Sequence, residues 1–173
     1  DAVATDPATG RELYRQVHEQ VLDAQGRVAT EVTRYLSPEG REIARKTLDY
    51  RAHRTLPLFR MEQPGAKVAE GLLSHDGAQV EVFRRRADGE TRRTLALEAG
   101  QAVAADSGFD HLLVDAFDAL TAGRTVAFSL VVAGQLDRYR FRARATGNAD
   151  VDGEAALQLR VEPDSLLRML VDP

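Results

Sequence analysis

Leu136-Asp137-Arg138-Tyr139-Arg140-Phe141-Arg142-Ala143-Arg144-Ala145 alternates charge with bulk: the four arginines share one parity, and Tyr139, Phe141, Ala143 and Ala145 share the other. Side chains of an extended backbone point to opposite faces in turn, so a two-residue period predicts a strand with one basic and one apolar face. The same period recurs along much of the chain and makes the fold β-rich. At 126–132, Val126, Phe128, Leu130 and Val132 fall on one parity, Ala127, Ser129 and Val131 on the other. One side is heavily apolar and the second is small, which predicts a strand covered on both faces.

Turn residues separate the strand-length segments. Ser37-Pro38-Glu39-Gly40 has the residues a type I turn favours. Asp76-Gly77, Asp88-Gly89 and Asp152-Gly153 suit hairpins, because Gly takes positive φ without a Cβ clash, and Gln25-Gly26 is a weaker version. These marks predict hairpins at 12–22/28–36, 28–36/41–51, 67–74/79–86, 79–86/91–98 and 136–146/154–162. Phe83 stands beside the alternating Val80 and Val82, which predicts a bulge or register change within 79–86.

One segment has a different period. Phe109, Leu112, Leu113, Ala116, Phe117 and Leu120 form the stripe of an amphipathic helix. Ser107 with Asp110 resembles a capping box and Gly123 supplies a stop, so one helix is predicted over about 108–122. Leu166, Leu167 and Leu170 predict a further helical turn at 165–170. The expected fold is α+β: a mainly antiparallel, strongly curved β-sheet, an open or half barrel, with one packing amphipathic helix. Residues 1–10 are small, polar and without period, and read as a flexible N-terminal lead; 11–173 read as a single β-rich domain.

Composition narrows function by exclusion. The 173 residues include no cysteine, which removes thiolate nucleophiles and cysteine-ligated metals. A formal net charge of -4 argues against a nucleic-acid binder. No apolar run reaches the ~18 residues of a membrane-spanning helix. The small, polar opening residues suit a mature exported protein, so a periplasmic or otherwise exported location is expected.

Catalytic patterns are missing. Ser107, His111 and Asp115 are spaced by four, but Ala105-Asp106-Ser107-Gly108 is not a nucleophile elbow. His18, His53 and His75 have no metal-ligand spacing. No catalytic residue, metal or cofactor is therefore expected. Two binding surfaces are candidates. Phe109, Leu112, Leu113, Phe117, Val126, Phe128 and Leu130 would border an apolar concavity for a lipid or other apolar small molecule. Arg138, Arg140, Arg142 and Arg144 would form an anion- or partner-facing surface for an envelope protein, which Arg84-Arg85-Arg86 and Arg92-Arg93 extend. An open sheet edge is a further docking element.

Two stretches, Gly40-Arg41-Glu42-Ile43-Ala44-Arg45-Lys46-Thr47-Leu48-Asp49 and Asp106-Ser107-Gly108-Phe109-Asp110, carry a resemblance. The chain resembles a family of exported bacterial proteins of unassigned role, with a fold similar to the outer-membrane lipoprotein carriers (LolA/LolB-like). That resemblance implies a curved antiparallel sheet around an apolar concavity with helices as a lid. It carries over no functional residue.

Overall fold

The computed structural model describes residues 1–164. Eight strands follow one another as an antiparallel meander: β1 (Ala2–Thr5), β2 (Glu12–Leu22), β3 (Val28–Leu36), β4 (Glu42–Asp49), β5 (Leu58–Gln63), β6 (Val68–His75), β7 (Gln79–Arg86) and β8 (Gly89–Ala96). A second sheet holds β9 (Ala102–Ala105), β10 (Val126–Val132), β11 (Asp137–Val151) and β12 (Glu154–Pro163), in the order β12-β11-β10-β9. Its β9 and β10 are parallel, with Phe128 opposite Ala102. Parallel neighbours need a crossover, and two short helices supply it: α1 (Gly108–Asp115) and α2 (Phe117–Thr121).

The two parities of β10 divide two cores. Val131 joins Val103, Ala105 and Leu136 against Leu48, Phe59, Leu72, Val82 and Leu95 of the large sheet. Phe128 packs on the other side with Ala104, Ala143, Leu112 and Leu120. The layers are therefore helices, small sheet and large sheet, and β10 is covered on both faces from Phe128 onward, with Ala127 exposed.

The antiparallel, β-rich class and the five hairpins stand, while several finer expectations change. The single, strongly curved sheet is replaced by two sheets, neither closed; β1 and β8 are the edges of one, β9 and β12 of the other. The division falls after β8, where a turn at Gly100 (φ 76°) leads into the short, alanine-rich β9 and its parallel pairing. The one packing helix is two, broken at Ala116 (φ -92°, ψ 3°), and it packs on the small sheet. Ser107 gives no side-chain cap; its hydroxyl donates to Asp106 Oδ1 at 2.9 Å.

Residues 1–10, expected as a flexible lead, contain β1, paired with β2, and a turn in which Asp6 Oδ1 accepts from Ala8 N at 2.8 Å. Edge pairing uses backbone groups, so side-chain period does not betray it. The irregularity expected in 79–86 lies across the ladder, on β6 between Leu72 and Ser74, while β7 pairs with β8 in continuous register. Phe83 simply faces the opposite side from Val82. Its ring lies over Gly71, where a Cβ would come within 2.8 Å of it, and the Arg60 guanidinium stands 5.1 Å from the ring centre. The helical turn expected at 165–170 lies outside the described residues.

Four polar ties hold the layers in place. Thr55 Oγ1 donates to Val103 O at 2.7 Å, and Ala105 N donates to Thr55 O at 2.9 Å. Arg84 Nη1 and Arg93 Nη1 reach the carbonyls of Gly134 (3.2 Å) and Leu136 (3.1 Å), at the 3₁₀ turn after β10. Leu136 holds φ 53°, unusual for a bulky residue, while its side chain is buried in the inter-sheet core.

Candidate functional site

Register places the arginine row. Arg138, Arg140 and Arg142 stand opposite Val131, Ser129 and Ala127, so they share the small-sheet face that is turned toward the large sheet. Only part of that face is covered. Arg138 lies at the junction with its side chain 25% exposed, whereas those of Arg140 and Arg142 are 57% and 51% exposed. Glu98, just beyond β8, takes Arg138 Nη2 at 3.0 Å and Arg140 Nη2 at 2.5 Å. The hydrogen bond from Arg140 leads in holding the Glu98 carboxyl below its ordinary value, against the opposing effect of burial.

Further along, Glu162 serves two arginines, Arg160 at 2.9 Å and Arg142 at 3.8 Å. Arg144 stands directly opposite Arg160 and has no ion pair among the described residues. Between β8 and β11 opens a groove of about 670 Å³, with Arg93 and Leu95 on one wall, Ser129, Arg138 and Arg140 on the other, and Glu98 and Asp164 along it. The four sequence-predicted arginines thus meet on one face, joined by Arg93 and Arg160. The sequence extended the row to Arg84-Arg85-Arg86 and Arg92-Arg93, and sheet-on-sheet packing brings Arg93 of that set into the groove. Arg84 and Arg93 also tie the layers together through the carbonyls of Gly134 and Leu136, while Arg85 and Arg92 pair with Glu90.

The apolar candidates also come together, in the cluster between helices and small sheet. Leu112 and Phe128 are buried there, and Phe109, Leu113, Val126 and Leu130 pack against them. Phe109 and Phe128 rings are 5.4 Å apart, and Phe128 stacks on Phe141 at 5.8 Å. Phe117 is turned away, 52% exposed. Leu112 and Val126 also reach a groove of about 410 Å³, shared with Leu56, Leu97 and Val103.

A polar cluster that sequence reasoning missed lies where β3 and β4 meet the start of α1. Lys46 Nζ is 2.6 Å from Asp106 Oδ1 and 3.2 Å from Ser107 Oγ. Burial disfavours the ammonium, but the charge and hydrogen bond of Asp106 outweigh it and raise the Lys46 pKa. Asp106 itself has φ 45°, a left-handed conformation Asp tolerates better than most. Beside it, Glu31 is buried and accepts from Gln20 Nε2 at 2.8 Å and Thr33 Oγ1 at 3.1 Å, with His18 Nδ1 at 3.2 Å. Burial pushes the Tyr50 hydroxyl well above its ordinary value, and its ring meets His111 edge-on at 5.0 Å. A serine beside a lysine attacks a carbonyl only when the amine is neutral, and Asp106 keeps this one charged. The cluster is a clasp between layers. In the sequence Lys46 was one of two lysines among many arginines, and Ser107 was read as a helix cap; nothing there joined the two.

Ser107, His111 and Asp115 do not form a relay: Ser107 turns to Asp106, His111 to Tyr50, and Asp115 to Arg54 at 2.9 Å. His53 and His75 stack edge-on at 5.5 Å. Among the described residues no group of three or more His, Cys, Asp or Glu is arranged to hold a metal ion, and no helix is long and apolar enough to cross a membrane. Comparison with family profiles, with curated proteins and with solved structures gave no match.

Proposed function

We propose that this chain is a non-catalytic binding domain of the bacterial cell envelope that docks an acidic partner protein along the arginine face of β11 and β12. One observation carries the reading: Arg138, Arg140, Arg142, Arg144 and Arg160 line one face, and among the described residues their ion pairs are made with Glu98 and Glu162 alone. Guanidinium groups bind carboxylates in a planar fork, and a partly covered groove strengthens the attraction by excluding water. Export to the periplasm belongs to the same reading and is supported by the resemblance to exported proteins.

The test uses poly-L-glutamate as probe. Binding is expected at low ionic strength and fades as the Debye length falls from about 30 Å at 0.01 M to about 8 Å at 0.15 M. Arg140→Glu with Arg142→Glu abolishes it. Salt-insensitive binding, or binding unchanged in the double variant, sinks the reading.

A second reading keeps an apolar ligand, as the likeness to lipoprotein carriers implies. What supports it is a groove of about 410 Å³ in which Leu56, Leu97, Val103, Leu112 and Val126 form an apolar part beside His53, His75, Glu98 and Asp115. Mass spectrometry of an organic extract of the purified protein decides it, an empty extract counting against a bound lipid.

A further inference from the structure

Among the described residues four strands form the edges of the two sheets, and they differ in how far they are blunted. β1 and β9 are four residues long, and β9 already gives Ala105 N to Thr55 O. β8 carries Glu90, Arg92 and Arg93, and charge on an edge opposes further pairing. β12 carries charge as well, at Glu154, Arg160 and Glu162, but among the described residues it is the longest of the four edges. It runs ten residues as Glu154-Ala155-Ala156-Leu157-Gln158-Leu159-Arg160-Val161-Glu162-Pro163, without lysine and with proline only at the end. Ala155, Leu157, Leu159 and Val161 share one parity.

We infer that β12 pairs with β12 of a second copy of this chain, antiparallel about a two-fold axis, joining two small sheets into one. An axis normal to the sheet leaves each residue on its own face, so only registers centred on a residue are allowed. Centred on Leu157, the register sets Glu154 opposite the partner's Arg160, and the symmetric pair repeats it. Leu157 then meets its own copy and Ala155 meets the partner's Leu159, an apolar row on one face. Centred on Gln158, Glu154 meets the partner's Glu162; centred on Arg160, that arginine meets itself.

An independent observation points the same way. Arg144 and Arg160 stand directly opposite each other within the chain, a like-charge pair that weakens the ribbon. The partner's Glu154 beside Arg160 offsets it. The pairing goes beyond the arginine-face reading and does not depend on it.

Sedimentation equilibrium of the full chain tests the proposal, with a monomer–dimer equilibrium expected. Arg160→Glu weakens self-association by about tenfold or more, Glu154→Arg does the same, and the two together restore it. Because the chain has no cysteine, Leu157→Cys introduces a lone thiol. Opposed residues of an antiparallel pair lie about 4.5–5.5 Å apart, within disulfide reach, so mild oxidation gives a covalent dimer. Gln25→Cys, in an exposed turn, gives none. A chain that stays monomeric at every concentration overturns the proposal, as does a dimer that neither crosslinks through position 157 nor responds to either charge reversal. A dimer that crosslinks there but ignores both reversals overturns the register.

Discussion

Gly108 sets two physical effects against each other. Helix propensity alone favours Gly108→Ala, though by less than the ~1 kcal/mol of a helix interior, because Gly108 is the first residue of α1. A Cβ there, however, would lie 2.1 Å from Thr55 O and 2.7 Å from Pro57 Cδ, at the point where Thr55 holds β9. Backbone cannot yield as a flexible side chain does, so Gly108→Ala is expected to destabilise by about 1–3 kcal/mol in urea unfolding. A gain in stability would show that the Thr55 segment moves freely. Charge at the same boundary makes stability depend on pH. Burial opposes ionisation of Glu31, but hydrogen bonds from Gln20, His18 and Thr33 prevail and lower its pKa. Its contribution is complete above the ordinary carboxylate value of 4.5 and is lost as pH falls through the lowered one. Burial also lowers His53 and His111, so the unfolded chain takes up their protons first as pH drops below 6.5. Urea midpoints are therefore expected to fall in two stages on acidification. His53→Gln with His111→Gln flattens the first stage, and Glu31→Gln reduces the second, to which Glu98 and other carboxylates held low by hydrogen bonds also contribute; an unchanged profile in these variants would refute the assignment.

The helical stripe shows how far sequence reaches for one element. Steps of three and four residues placed a helix where α1 and α2 lie, since five of its six apolar side chains are buried or packed against the cluster. The break at Ala116 had no signal, because neither glycine nor proline marks it. Phe117 is the side chain that break turns outward. Equal weight in the stripe thus becomes unequal weight in the core. Phe128→Ala, beneath the helices and 1% exposed, is expected to cost about 3–5 kcal/mol. Phe117→Ala is expected to change stability by about 0.5 kcal/mol or less. Thermal unfolding of both variants checks the contrast, and a large loss at Phe117 would mean that it packs as the stripe alone implied. β11 was legible for the same reason as the helix: its alternation is strict, and its arginines do share a face. That Glu98 would pair with them was not legible, because it lies in the turn after β8 and only the packing of the two sheets brings it to Arg138 and Arg140.

At the scale of the molecule, local patterns specify strands and turns but not which sheet a strand joins. Turn dipeptides predicted five hairpins, whereas β9, with four small residues, gave no hint that it would pair in parallel across the helices. The consequence of that pairing is physical coupling between the sheets. Val103, Ala105, Val131 and Leu136 of the small-sheet region share one buried core with Leu48, Phe59, Leu72 and Val82 of the large one. Neither sheet can expose its side of that core without exposing the other's, so β4–β7 and β10 are expected to open together. The ends are different, since residues 146–155 are exposed throughout and β1 is a short edge. Amide hydrogen exchange should then give β4, β6, β7 and β10 one common opening free energy equal to that of global unfolding, with β1 and the 146–155 ribbon exchanging through smaller, local openings. If the β10 amides exchanged with an opening free energy well below that of β4–β7, the two sheets would be separate cooperative units, and the polar ties at Thr55, Arg84, Arg93 and Lys46 would be too weak to join them.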